Sequence, residues 1–229
     1  FGMLTQFLIP AAKHVLSVDL DTRLLALARE YLQDQSNLTL LEADALKSKN
    51  TLNPLLLKTL RDLLSPGQRV RVVANLPYNV ATPLVVGLLR EDLPLSSVTV
   101  MVQLEVAQRF AAKLGDEQFG AVSHLCSALC SSVEIVRKVP RDVFHPRPNV
   151  ASAIVRLIAA PGRQDGFPVL SSVVRATFNY RRKTLGKALK AVTRADPKLS
   201  WLSEAASASE IDLRTRVDQV PLEAFQRLT

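Results

Sequence analysis

Apolar residues recur along this chain in two rhythms, short runs of the kind that form strands and longer segments with apolar positions three and four apart that form helices. Leu4, Phe7 and Leu8 open with a helical pattern. Val15–Asp19 then reads as a strand ending in an acidic residue; Leu24, Leu25, Leu27, Ala28, Tyr31 and Leu32 read as a helix, and Leu38–Glu42 as a second strand. A helix through Leu55, Leu56, Leu57, Leu60, Leu63 and Leu64 stops at Ser65-Pro66-Gly67, ahead of the apolar run Val70, Val72, Val73 and Ala74. This alternation of strand and helix predicts an α/β fold with a parallel sheet. Pro83 fits the first turn of a helix through Leu84, Val85, Leu88 and Leu89 that Pro94 stops. Strands are expected over 97–103, 133–139 and 153–158, with Ser123 opening an apolar helix between the first two. The stretch 161–166, Pro-Gly-Arg-Gln-Asp-Gly, is the best linker, so residues 1–160 are expected to form one domain and 167–229 a smaller helical one.

With 229 residues, 48% hydrophobic and 22% charged, the chain can bury a core for one domain and an appendage. No apolar stretch approaches the roughly 20 residues of a spanning helix and no signal-peptide layout opens the chain, which predicts a soluble, cytoplasmic protein. Lys+Arg number 29 against 21 Asp+Glu, a net charge of +8 that suits a polyanionic partner, with a membrane surface as the rival. Residues 137–199 alone hold 14 Lys/Arg and 3 Asp/Glu, a local balance of +11 that favours a phosphate-contacting surface over an ordinary solvated face. Cys126 and Cys130 stand four apart in what reads as a single helix, and His14, His124 and His145 are scattered. No metal site is expected, and the cysteines are read as buried free thiols of a reducing compartment.

Asn75-Leu76-Pro77-Tyr78 directly follows the 70–74 run. In an open α/β sheet, ligands bind beyond the carboxyl ends of the strands. Residues of these types suit methyl transfer to an exocyclic amine of a nucleobase, whose lone pair is delocalised into the ring. The Asn75 side-chain oxygen and the Leu76 carbonyl offer acceptors for the amine hydrogens, Pro77 restricts Leu76, and Tyr78 offers a stacking face. No strong base is needed, because the amine turns acidic only after gaining the methyl. The alternative is a plain turn closing a strand. Asp19, at a strand's carboxyl end, is placed to accept ribose hydroxyls of an adenosine-containing cofactor, unless it or Asp21 only caps the next helix. Asp44 has a turn role as its alternative.

The stretch 75–83, Asn-Leu-Pro-Tyr-Asn-Val-Ala-Thr-Pro, closely resembles the catalytic motif of the ribosomal RNA adenine N6,N6-dimethyltransferases. Four further matches keep the family's order. Ala43-Asp44-Ala45-Leu46 resembles its G-D-A-L, and 103–109 its Q-x-E-V-A-x-R, where Glu105 and Arg109 form an ordinary helical ion pair. Residues 144–153 resemble its F-x-P-x-P-x-V-x-S-A, and 178–185 its F-x-x-R-R-K-T-L. The closing segment 214–225 is similar too, with Val217-Asp218 departing from the usual acidic spacing.

The resemblance implies a Rossmann-like class I methyltransferase sheet with a small C-terminal helical domain, and transfer of methyl groups from S-adenosylmethionine to small-subunit ribosomal RNA by a monomer acting on the pre-ribosomal particle. It implies Asn75, Leu76, Pro77, Tyr78 and Phe144 as the catalytic set, Phe144 being the second stacking face, with a hydrophobic plug as its alternative. Gly2, Asp19, Asp44 and Asn75 would hold the cofactor, with Asp21 left as the cap, and Arg147, Arg181, Arg182, Lys183 and Lys187 would meet RNA. The family usually has Glu where Asp19 stands. Gly2-Met3-Leu4-Thr5 resembles only the tail of the family's glycine-rich turn, so a strand and that turn are expected ahead of Phe1. Two rivals share the fold: a large-subunit methyltransferase conferring antibiotic resistance, against which the 178–185 match argues, and a non-catalytic RNA-binding or transcription factor, which would have eroded the Asn75 motif.

Overall fold

In the computed structural model, which describes residues 2–209 and 211–229, a short helix α1 (Thr5–Leu8) leads into the parallel pair β1 (Val15–Asp19) and β2 (Leu38–Glu42), joined by α2 (Thr22–Leu32). Phe1, where the expected first domain begins, and Glu210 lie outside the described residues. Gly2 adopts φ +73°, and a Cβ there would stand 2.8 Å from the Leu32 side chain, so the chain enters α1 pressed against α2. Asp21 caps α2, accepting from the amides of Arg23 and Leu24. Its hydrogen bond with the Arg23 side chain holds its carboxyl below the usual range. Phe7, expected on an apolar helix face, is 70% exposed; the buried residue of α1 is Thr5, whose hydroxyl meets that of Ser17 at 3.1 Å.

A small antiparallel hairpin, β3 (Leu46–Ser48) and β4 (Thr51–Leu52), precedes α3 (Pro54–Leu63). Leu52 of this hairpin packs on Leu84 and Leu88 of α4 (Ala81–Arg90). The second sheet has four strands in the order β5 (Val70–Asn75), β6 (Leu95–Gln103), β8 (Ser152–Ala159), β7 (Cys130–Val139). β5 and β6 are parallel, while β8 runs antiparallel to both its neighbours. The predicted alternation is present, with β1–β2 and β5–β6 each pairing parallel; the two sets lie in separate sheets, with no ladder joining β1 to β5 among the described residues.

Helices α5 (Leu104–Ala111), α6 (Ala121–Leu129), α7 (Phe167–Phe178), α8 (Leu185–Ala195), α9 (Leu202–Ala208) and α10 (Leu222–Arg227) complete the molecule. The main core runs from Val98, Val100 and Val102 of β6 through Ala153, Val155 and Leu157 of β8 into Val173 of α7, Leu189 of α8 and Phe225 of α10. Cys130 is not helical: α6 ends at Leu129, and Cys130 (φ −126°, ψ 141°) starts β7, paired with Ala159. Both cysteines are free and buried, and burial pushes the Cys126 thiol well up and that of Cys130 up to about 12. The 161–166 linker is pinned rather than slack. The Arg163 guanidinium donates to the carbonyls of Leu89, Glu91 and Leu93 at 2.5, 3.1 and 3.0 Å, and the Gln164 amide donates to Glu91 as well. The Leu89 carbonyl lies in the last turn of α4, where helical partners run out, while those of Glu91 and Leu93 also accept the amides of Leu93 and Leu95.

Candidate active site and RNA-facing surface

Strand β5 ends on Asn75, held in register with Met101 of β6, and the next amide, of Leu76, donates to the Met101 carbonyl at 3.2 Å. Pairing to a neighbour that is itself sandwiched in the sheet fixes the Leu76 peptide. The Pro77 carbonyl then accepts from the Val80 amide at 3.2 Å, closing a turn that carries Tyr78 and leads into α4. The plain-turn geometry is therefore present, yet two acceptors in it are unspent: among the described residues neither the exposed Asn75 amide group nor the Leu76 carbonyl has a hydrogen-bond partner. The Tyr78 ring is 39% exposed while its hydroxyl meets that of Ser152, a residue only 1% exposed, at 3.0 Å. Phe144, half-buried, follows the short turn Arg141–Val143 and lies eight residues before Ser152. No ring pair joins it to Tyr78 among the described residues, so the two aromatic faces do not stack on one another.

On the other side, Asp19 is exposed at the end of β1 and accepts from the Asp21 amide through one carboxylate oxygen, at 3.0 Å; the second oxygen is open among the described residues. Leu20, 66% exposed, presents apolar surface beside it. Asp44 accepts from the Leu46 amide at 2.9 Å and so makes the turn into the hairpin, again with one oxygen left over among the described residues. An open carboxylate next to exposed apolar surface fits the ribose and base of an adenosine-containing cofactor. Gly2, at φ +73°, packs closely against Leu32 of α2.

Of the basic residues singled out from sequence, Arg181, Arg182, Lys183 and Lys187 are exposed around the α7–α8 turn, with the Lys183 ammonium 5.1 Å from the centre of the Tyr180 ring. Arg147 sits apart from them, in an ion pair with Asp142 on the Phe144 loop. A cleft of about 930 Å³ opens beside this turn, its lining including Arg109, Phe119, Arg175, Tyr180 and Arg181, and a second of about 530 Å³ runs along residues 178–183. Neither is lined by Asn75 or Tyr78. Asn75, Pro77 and Tyr78 are all exposed. Glu105 and Arg109 make the expected helical ion pair.

Two participants escaped sequence reading. Ser152 was visible only as a letter of the 144–153 motif, because its partner Tyr78 is 74 residues away. His124 is 1% exposed and ringed edge-on by Phe119, Phe178 and Phe225 at 4.7, 5.3 and 5.0 Å, joining α6 to α7 and α10. Neither of its ring nitrogens has a partner of good geometry among the described residues. Burial pushes its pKa down to about 4, an effect that the Glu223 charge and the Val220 carbonyl only partly offset.

Comparison with known proteins identifies the family. Residues 1–229 match the sequence profile of the family Ribosomal RNA adenine dimethylase. The ribosomal RNA small subunit methyltransferase A of Lactiplantibacillus plantarum is 34% identical over 232 residues, spanning 100% of this chain and 76% of that protein. The protein of the same name from Bacillus mycoides is 37% identical over 237 residues, spanning 100% and 77%. Among solved structures, a dimethyladenosine transferase from Plasmodium falciparum superposes with a TM-score of 0.79 at 24% identity, covering 99% of this chain and 84% of that one. The 23S rRNA methyltransferase ErmE gives 0.64 at 24% identity, covering 99% and 85%. These two likenesses make the fold that of a class I methyltransferase, and the match along the whole sequence places the chain in the ribosomal RNA adenine dimethylase family.

Proposed function

We propose that the protein transfers methyl groups from S-adenosylmethionine to N6 of adenines in small-subunit ribosomal RNA, forming dimethyladenine during assembly of the subunit. The observation that carries this reading is the pair of unspent acceptors at Asn75 and Leu76 beside the half-open ring of Tyr78. S-adenosylmethionine supplies, when bound, an electrophilic methyl on a sulfonium. Asp19 and Asp44 would hold its ribose and adenine through their open carboxylate oxygens. The Asn75 oxygen and the Leu76 carbonyl accept the amine hydrogens and draw the nitrogen lone pair out of conjugation, towards the methyl carbon. The methylated amine, acidic once it carries the extra methyl, would give its proton to water, so Asn75 and Leu76 need only orient it and no strong base is required. The rate comes from orientation and fixed dipoles. Tyr78 and Phe144 would each offer the base an aromatic face to stack on.

Residues 1–160 are the transferring part and 167–229 the docking part. Arg181, Arg182, Lys183 and Lys187, joined by Arg147 once it exchanges Asp142 for phosphate, read the RNA through its backbone, so the fold of the RNA selects the site. The protein acts as a monomer in the cytoplasm on pre-ribosomal small subunits. No helix among the described residues is long and apolar enough to cross a membrane.

Labelled methyl transfer into unmodified small and large subunits, with nucleoside analysis, tests the reading. Dimethyladenine is expected from the small subunit alone, and Asn75→Ala should lower turnover by about a hundred- to a thousandfold while RNA binding persists. Labelling confined to large subunits, or near-normal dimethylation by the variant, would overturn the assignment.

A further inference from the structure

Ser152 is a polar residue where a sheet interior would ordinarily take an apolar one. It is 1% exposed and begins β8, the strand flanked by β6 and β7, and it is paired to Gln103 on one side and Val139 on the other. The preceding carbonyl, of Ala151, accepts from the Leu104 amide at 2.9 Å, so the backbone on both sides of Ser152 is fixed. A buried hydroxyl must find a partner, and among the described residues the Ser152 side chain has one, the Tyr78 hydroxyl at 3.0 Å.

The bond joins a rigid part to a less rigid one. Tyr78 sits in a turn, its ring 39% exposed and without another aromatic ring packed on it among the described residues. Freed at its hydroxyl, the phenol could rotate about two side-chain bonds. Tied to Ser152, it keeps one orientation while a face stays open.

We propose that Ser152 is a positioning residue for methyl transfer, its buried hydroxyl anchoring the Tyr78 ring in the plane that receives the target base. This rests on the reading of Tyr78 as a base-stacking residue. Stacking of a base on an aromatic side chain depends on the presented face, and a ring that must be ordered at each encounter yields less of it in the reactive complex. Ser152 is also where the Phe144 loop enters the sheet, so one hydroxyl ties the turn carrying the first aromatic face to the strand that ends the loop carrying the second.

The test compares Ser152→Ala, Tyr78→Phe, the double variant and Tyr78→Ala in the intact protein, by single-turnover methyl transfer at saturating RNA, KM for RNA, and thermal melting. Ser152→Ala and Tyr78→Phe should each slow the transfer step about five- to tenfold, the yield of one neutral hydrogen bond, with S-adenosylmethionine affinity unchanged. The double variant should be no slower than either single one, because each removes the same bond. Should Ser152→Ala fail to fold, Tyr78→Phe breaks that bond from the exposed side and still tests the anchor. Losses that multiply in the double variant, or a Ser152→Ala protein that melts lower yet transfers at the normal rate per folded molecule, would return Ser152 to a merely structural role. Tyr78→Ala separates this from the site assignment. If it alone is slow while Tyr78→Phe and Ser152→Ala are not, the anchor falls and the stacking role stands; if it too is normal, the stacking role itself falls.

Discussion

Two parallel strand pairs in this protein start from much the same sequence material and end in different states. β1 and β2 are short apolar runs closing on Asp19 and Glu42; β5 and β6 are apolar runs closing on Asn75 and Gln103. In the first pair only Val15 is buried, still 8% exposed, and the short α1 and α2 are the helices that pack on the pair. In the second, Val98, Val100 and Val102 are at most 1% exposed, because β8 and β7 extend the sheet and α4 to α7 close over it. Burial here follows from how many layers reach a strand, and the strand's own hydrophobicity is the smaller factor. The polar strand ends differ in the same sense. Asn75 is presented from a braced sheet edge, whereas Asp19 and Asp44 are presented from a thinly covered unit that spends one oxygen of each on its own turns.

The comparison breaks most directly at the core. Leu157 of β8, opposite Val98, is fully buried, and Leu157→Ala should cost about 2–5 kcal/mol. Leu40→Ala in β2, which removes a side chain that is only half-buried, should cost about 1 kcal/mol or less. Denaturant unfolding measures both; equal costs would mean that the first pair is as well covered as the second.

His124 probes the junction between the sheet and the C-terminal helices. Its folded pKa of about 4 lies below the ordinary 6.5, so as pH falls the unfolded chain takes up a proton that the folded one refuses. Its contribution is complete above pH 6.5 and is lost progressively towards pH 4, by about 3 kcal/mol at most. His124→Leu should flatten this part of the stability profile; an unchanged slope would place the titration elsewhere.

The smallest effect on the fold, none measurable, is expected on replacing Arg181, Arg182 and Lys183 by Gln, since all three are exposed. Their effect should appear in RNA binding. The slope of log affinity against log salt should shrink by about two to three, one counterion term per lost phosphate contact. An unchanged slope would make them an ordinary solvated face.

Much of this was legible in the chain because it is local. The 70–74 run put Asn75 at a strand end, and Asp21 two residues after a strand and just before an apolar helix was readable as its cap. The β3–β4 hairpin was not readable: its two and three residues flank Lys49 and Asn50, and packing of Leu52 on α4, invisible to periodicity, decides it. Cys130 misled for a related reason, since four-residue spacing from Cys126 suits one helical face, while pairing with Ala159 pulls the residue into a strand. Ser152 draws its role from Tyr78, 74 residues away, and His124 from rings on other elements, so apart from the place of Ser152 in the 144–153 motif no local pattern marks either.

Arg163 gives α4 a role beyond packing. The helix begins where the Tyr78 turn ends, and its far end is gripped by a guanidinium belonging to the segment that leads to the C-terminal helices. Ten residues of helix make a strut of about 15 Å. A strut held at both ends keeps the Tyr78 turn and the segment that leads to the C-terminal helices at a set separation, so the two cannot shift independently of α4.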